Sequence, residues 1–127
     1  MKAIAWSLAL AVAPLPVAGF PVAAAAEEWK DFVTADGYAS AVATDSLKSS
    51  GNLRYFRLRA GKIGDPRYAI ADVLLDCQSK QLTIGRAELY DKGVQTGVRQ
   101  ADPARPFVEP MSEQPSGDEI LALVCTG

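Results

Sequence analysis

The sequence predicts an α+β domain: an antiparallel sheet of about six strands with one C-terminal helix tied to it by a disulfide. Three observations carry this expectation. Short runs with apolar residues at alternate positions recur between Trp29 and Gln100, punctuated by Gly, Pro, Asn and Asp. The last apolar run, after Ser116, is preceded by a helix-start pattern instead. Two cysteines, Cys77 and Cys125, stand at the end of the most strand-like run and at the end of that last run. Strands followed by a single helix is an α+β order.

The chain has 127 residues, enough for one domain. Its first 26 residues contain one Lys and no acidic residue, whereas residues 27–127 hold twelve Lys+Arg and all fifteen Asp+Glu. Met1-Lys2 is a minimal positive start, Ala3–Val12 is an apolar run, and Pro14 and Pro16 interrupt any longer helix. Ala24-x-Ala26 before Glu27 satisfies the small-x-small rule for signal cleavage. The expectation is a signal peptide at 1–26, cut between Ala26 and Glu27, and a domain at 27–127. An uncleaved N-terminal anchor is the alternative. No Cys near the cut offers a lipid anchor, so the product is expected to be periplasmic or secreted.

The first strand is Trp29–Thr34, closed by Asp36-Gly37, and the second is Tyr38–Thr44. Asp45–Asn52 reads as a turn-rich connection with its tight point at Gly51-Asn52. Arg54–Ala60 alternates, with Phe56 and Leu58 on one side and Tyr55, Arg57 and Arg59 on the other. Gly61–Pro66 is a loop. In Arg67–Cys77 the odd positions form an apolar face that carries Cys77 inward, and Gln78-Ser79-Lys80 turns the chain into Gln81–Tyr90. There Leu82 and Ile84 are out of phase with Ala87 and Leu89, and a bulge at Gly85 would bring both pairs inward. Val94–Gln100 is a sixth strand, followed by a loop holding Pro103, Pro106, Pro110 and Pro115. Ser116-Gly117-Asp118-Glu119 has the capping-box spacing and starts a helix over residues 117–125; a final short strand is the alternative for this aperiodic run.

Export decides how the cysteines are read. In a small exported domain an even count favours a structural disulfide, and Cys77 and Cys125 allow one pairing. A redox-active pair is disfavoured because the two are not in C-x-x-C spacing.

The order of pieces resembles the surface-adhesin E-like proteins of Gram-negative bacteria. The resemblance runs from Trp29 through Tyr38 and Asp45-Ser46-Leu47 to the strand Leu53-Arg54-Tyr55-Phe56-Arg57-Leu58. It continues with Asp76-Cys77, Gln78-Ser79-Lys80, Leu89-Tyr90-Asp91, Phe107-Val108-Glu109-Pro110 and Ile120–Cys125. It implies an exported domain, and its founding member is an outer-surface adhesin that binds host matrix proteins. Two departures are visible: Phe107 stands where Trp is expected, and the adhesin's lipid-anchor Cys is missing.

The chemistry narrows by what is missing. The chain has no His, which removes the usual base for a Ser, Thr or Cys nucleophile. Asp72 and Asp76 share a strand face at i, i+4, about 13 Å apart by strand rise, beyond the roughly 5–9.5 Å of glycoside hydrolysis. No enzyme, cofactor or metal site is expected. Arg54, Arg57, Arg59, Lys62 and Arg67 against Asp65 form the one local charge imbalance, and Tyr55, Arg57 and Arg59 are the candidate binding patch. The expected partner is an extracellular or envelope protein or a polyanion; the acidic balance argues against nucleic acid. The competing reading of the patch is a sheet face whose arginines pair with Asp72 and Asp76. Competing functions are a periplasmic accessory or structural protein and an inhibitor of an exported enzyme.

Overall fold

The computed structural model describes residues 27–126, so the expected leader at 1–26 lies outside the described residues. Six strands follow one another as a meander, each antiparallel to the one before: β1 (Trp29–Val33), β2 (Tyr38–Ser50), β3 (Leu53–Lys62), β4 (Arg67–Asp76), β5 (Gln81–Asp91) and β6 (Val94–Gln100). A seventh strand, β7 (Phe107–Pro110), then returns to pair with β5. A 3-10 turn (Met111–Glu113) leads into the helix α1 (Gly117–Cys125). The antiparallel sheet and the C-terminal helix are as expected, but one nine-residue helix against seven strands makes the domain mostly β.

One sheet face carries the core. Cross-strand partners Val42 and Leu58, Phe56 and Val73, and Leu75 and Leu82 meet Met111, Ile120 and Val124 from the turn and helix. Leu75, Leu82, Met111, Ile120 and Val42 are the largest side chains with almost no exposure, each stabilising by about 1.5–3 kcal/mol through burial. The apolar odd positions of β4 face this core. The expected bulge in β5 is present: the register steps from Asp72↔Arg86 to Val73↔Ile84, leaving Gly85 unpaired. The step places Leu82, Ile84 and Ala87 all against the core.

Two elements differ from expectation. Asp45–Ser50, expected as the first part of a turn-rich connection, is strand instead; β2 runs on to Ser50 through a register shift between Ala43 and Lys48. Ser46 makes this possible, because its hydroxyl donates to the Ala43 carbonyl at 2.6 Å and accepts the Arg57 N–H at 3.0 Å. A side chain thus stands in for the backbone ladder where the strand bulges. The tight turn at Gly51-Asn52 is where it was expected, with Gly51 at φ 59°. The second difference is β7, found where a proline-rich loop was expected. It occupies the half of β5 before the bulge, Gln81↔Pro110 to Ile84↔Phe107, while β6 occupies the half after it, from Arg86↔Gln100. Pro110 is tolerated at its end because an edge position needs no N–H there.

The helix starts at the expected place by a different device. Ser116 is the N-cap but sits in the left-handed region at φ 59°, with no side-chain capping bond, and its hydroxyl is buried without a partner. The αL conformation replaces the extended backbone that lets an N-cap oxygen reach the N3 amide, so the Ser116–Glu119 capping box does not form. The next residue, Gly117, packs on the preceding turn. A Cβ there would overlap the Met111 carbonyl oxygen and lie 2.8 Å from its carbon. At the other end, Cys125 is bonded to Cys77, with Cα atoms 5.7 Å apart. Arg54 Nε donates to the Val124 carbonyl at 2.8 Å, placing a cation at the negative end of the helix.

Candidate functional site

The sheet face away from the helix holds the three residues singled out by sequence. Odd positions of β3 put Tyr55, Arg57 and Arg59 on it in a row, with Tyr55 44% exposed. Tyr55 and Arg57 line an open hollow of about 540 Å³ together with Lys48, Asp72, Leu74 and Thr83. The bulges of β2 and β5 flank it, since Ser46 and Gly85 also border the hollow.

The arginines are not free charges. Arg57 lies among three carboxylates: Glu27 at 3.0 Å, Glu88 at 3.3 Å and Asp72 at 3.7 Å. Glu88 also accepts from Arg86 and, at 2.9 Å, from the Tyr90 hydroxyl. Arg59 pairs with Asp31 at 3.2 Å and lies over the Trp29 ring, 4.8 Å from its centroid. The competing reading paired the arginines with Asp72 and Asp76, and of these pairs the structure has Arg57 with Asp72. Asp76 does something else: its carboxylate accepts the Gln78 and Ser79 amides in the β4–β5 turn. Arg57 and Arg86 therefore meet Glu27, Asp72 and Glu88 in one network that ties the segment before β1 to β3, β4 and β5, and Arg59–Asp31 is a separate pair. The other basic residues of the run point elsewhere, Arg54 to the helix end and Arg67 to Asp65. Glu27, Arg86 and Glu88 were not found from the sequence, although Arg86-x-Glu88-x-Tyr90 has the i, i+2 spacing that puts all three on one face.

Reversing Arg57 to Glu would set a fourth carboxylate among three. Arg57→Glu is expected to destabilise by about 2–3 kcal/mol, whereas Arg59→Glu, at a more exposed pair, should cost less than about 1 kcal/mol. Urea denaturation of both variants checks this; equal losses would mean that the network at Arg57 adds nothing beyond a surface pair.

Glu88 is held below its ordinary value of 4.5, first by the hydrogen bond from Arg86 and then by that from Tyr90. The Tyr90 hydroxyl is pushed up by the same bond to Glu88. A depressed carboxylate contributes stability that is complete above its unfolded pKa and lost as pH falls through the folded one. The melting temperature is expected to be level from about pH 7 to 5 and to fall below about pH 4.5, less steeply for Glu88→Gln. Parallel profiles for the two proteins would assign the acid loss to other groups.

A second hollow opens on the helix-bearing face, beyond the end of α1. It measures about 700 Å³, with Ser40, Ala60 and Ala69 as its floor and Tyr38, Leu89 and Pro115 around it. Arg67 and Asp65 pair at its rim, and Asp65 is pushed down to about 2, first by the side-chain hydrogen bond from Arg67. Among the described residues no group of three or more His, Cys, Asp or Glu is placed to hold a metal ion, and no helix is long and apolar enough to cross a membrane.

Fold and site together define a disulfide-closed, mostly β domain with a hollow on each face of its sheet. No family model, curated protein or solved structure matches the chain.

Proposed function

We propose that this protein is an exported, non-catalytic binding domain of the surface-adhesin E-like type, delivered by the signal peptide at 1–26. The observation that carries the reading is the Cys77–Cys125 bond closing a separation of 48 residues, the staple of a small domain in an oxidising compartment. The boundary has support of its own. Glu27, first after the expected cut, already holds Arg57 through both carboxylate oxygens at 3.0 Å. Binding rather than catalysis is supported by a chain without His and by arginines and carboxylates of the open face that neutralise one another. The ion-paired state of Arg57 and Arg59 favours a protein partner over a polyanion, since a mixed-charge face with Tyr55 and Trp29 suits a polar protein surface better than a sulfated chain. A role as a periplasmic accessory protein keeps the same fold and export and differs in the partner.

The test has two stages. Mass spectrometry of the protein from fractionated cells should find its N-terminus at Glu27, within two residues, in the periplasm or medium; an intact Met1 in the cytoplasm would overturn the export reading. Immobilised oxidised protein should then retain an envelope or matrix protein, and Tyr55→Ala should weaken that capture. Retention of heparin alone, fading as salt rises through about 0.15 M, would transfer the reading to a polyanion.

A further inference from the structure

The two ends of the sheet carry opposite surfaces. Antiparallel succession puts the β1–β2, β3–β4 and β5–β6 turns at one end and the β2–β3 and β4–β5 turns at the other. The second end is polar: its turns are Ser50-Gly51-Asn52 and Gln78-Ser79-Lys80, all exposed. The first end carries Val33 at 59%, Ile63 at 62% and Val94 at 66% exposure, one at each turn. These are the three most exposed large apolar side chains among the described residues, and Tyr38, 39% exposed, stands beside them. Single exposed apolar residues are ordinary on a protein surface. Three gathered at one end, against an all-polar opposite end, are not.

Backbone bonds tie the three turns into one row. The Ile63 N–H donates to the Gly37 carbonyl at 2.9 Å, and the Lys92 N–H donates to the Pro66 carbonyl at 3.1 Å. Turns two strand spacings apart lie about 10 Å from one another, so the apolar tips span about 20 Å. The charges at this end differ in how they are held. Asp36 accepts the Thr34 hydroxyl, Asp65 holds Arg67 at 3.0 Å, and one oxygen of Asp91 is closed to water. Lys62 and Lys92 pair with no carboxylate among the described residues, and the Lys62 ammonium lies 5.2 Å over the Tyr38 ring. The carboxylates are thus turned back on the fold. What this end presents outward is three aliphatic tips, a tyrosine and two ammonium groups.

We propose that this end of the sheet docks on a lipid bilayer surface, with Val33, Ile63 and Val94 dipping among the headgroups and Lys62 and Lys92 at the phosphates. A protein interface packs a continuous apolar core. Here polar and charged turn residues stand between the tips, an arrangement that a fluid lipid surface accepts point by point. Ammonium groups on long stems reach phosphate oxygens while the tips are immersed, and a tyrosine suits the boundary between headgroup and water. The docked domain stands on end. Tyr55, toward the polar end of β3, stays clear of the bilayer, so the proposal goes beyond the protein-binding reading and does not depend on it.

The test sediments the purified, oxidised protein with vesicles of phosphatidylcholine and with vesicles in which phosphatidylglycerol replaces part of it. Both are expected to retain the protein, the second more tightly, with the excess fading as salt rises through about 0.15 M. Val33→Ser, Ile63→Ser and Val94→Ser together should weaken binding to both by more than about tenfold, while the melting temperature stays near native. Ile63→Ser alone, in a turn rather than a strand, should act in the same direction. Lys62→Gln with Lys92→Gln should remove the phosphatidylglycerol excess and leave phosphatidylcholine binding within about twofold. Tyr55→Ala should leave vesicle binding unchanged. Absence of binding to either vesicle would overturn the proposal, as would serine variants that bind in full. Binding to phosphatidylglycerol alone, removed entirely by salt, would reduce the contact to charge and overturn it too. Serine variants that lose a protein partner, in a protein that binds no vesicle, would make this end a protein contact instead. Capture of a partner that is sensitive to Tyr55→Ala, without vesicle binding, would leave the protein-binding reading standing and remove this one.

Discussion

Replacing both Cys77 and Cys125 by Ser is expected to lower the melting temperature by more than 10 °C. The bond closes a loop of 48 residues, for which the chain-entropy account gives about 4 kcal/mol, and a domain of this size shifts by about 4–8 °C per kcal/mol. Two features raise the loss above that of an ordinary staple. Cys125 is the last residue of α1, so the bond fixes the end of this helix against the core. Arg54, which holds the Val124 carbonyl from β3, is then the remaining tie at that end. Thermal melts in the presence and absence of reductant check the expectation. A reduced protein that melts within about 2 °C of the oxidised one would show that packing alone holds the helix.

Gly117→Ala is expected to be nearly as damaging, although Ala is ordinarily the better helix former by about 1 kcal/mol. The methyl group would enter the space of the Met111 carbonyl and come within 3.2 Å of Ser112 Cα. Both are backbone atoms of a turn whose Met111 is fully buried. Neither can retreat without moving Met111 within the core, so the change acts as overpacking, about 3 kcal/mol. Asp118→Ala, one residue on and exposed, should lie within about 0.5 kcal/mol of wild type. Denaturation midpoints of the pair make the comparison. If Gly117→Ala were as stable as Asp118→Ala, the turn would have to be free to shift, and the helix would not be seated on it.

What the sequence discloses is the part of the fold that depends on neighbours along the chain. The β5 bulge is legible because Leu82 and Ile84 are out of phase with Ala87 and Leu89, and one Gly between them resolves the conflict. The hairpin at Gln78–Lys80 is legible from its polar turn residues, and the bond between the cysteines from their number. The extension of β2 to Ser50 is not, because the residue that makes it a strand, Ser46, acts through its hydroxyl on β3. Nor is β7, which has four residues, ends in Pro110 and is held only by the vacant half of β5. The candidate site divides the same way. Alternation puts Tyr55, Arg57 and Arg59 on one face, but the carboxylates that neutralise the arginines come from Glu27, Asp31 and Glu88, about thirty positions away in each case. The hollow over Ser40, Ala60 and Ala69 has no sequence signal at all, since its floor is made of three small residues brought together by register.

The connectivity of the sheet also sets an order of assembly. Strands β1 to β6 each pair with the strand just before them, so the meander can zip through local hairpins at low entropic cost. The segment from Phe107 to Cys125 is different: it must come back to β5 and to the end of β4 before it gains anything. Until it arrives, Val73, Leu75 and Leu82 face water as a continuous greasy stripe. The half-folded meander is therefore the species most exposed to misassociation, and the bond to Cys77 works as a latch that shortens its lifetime.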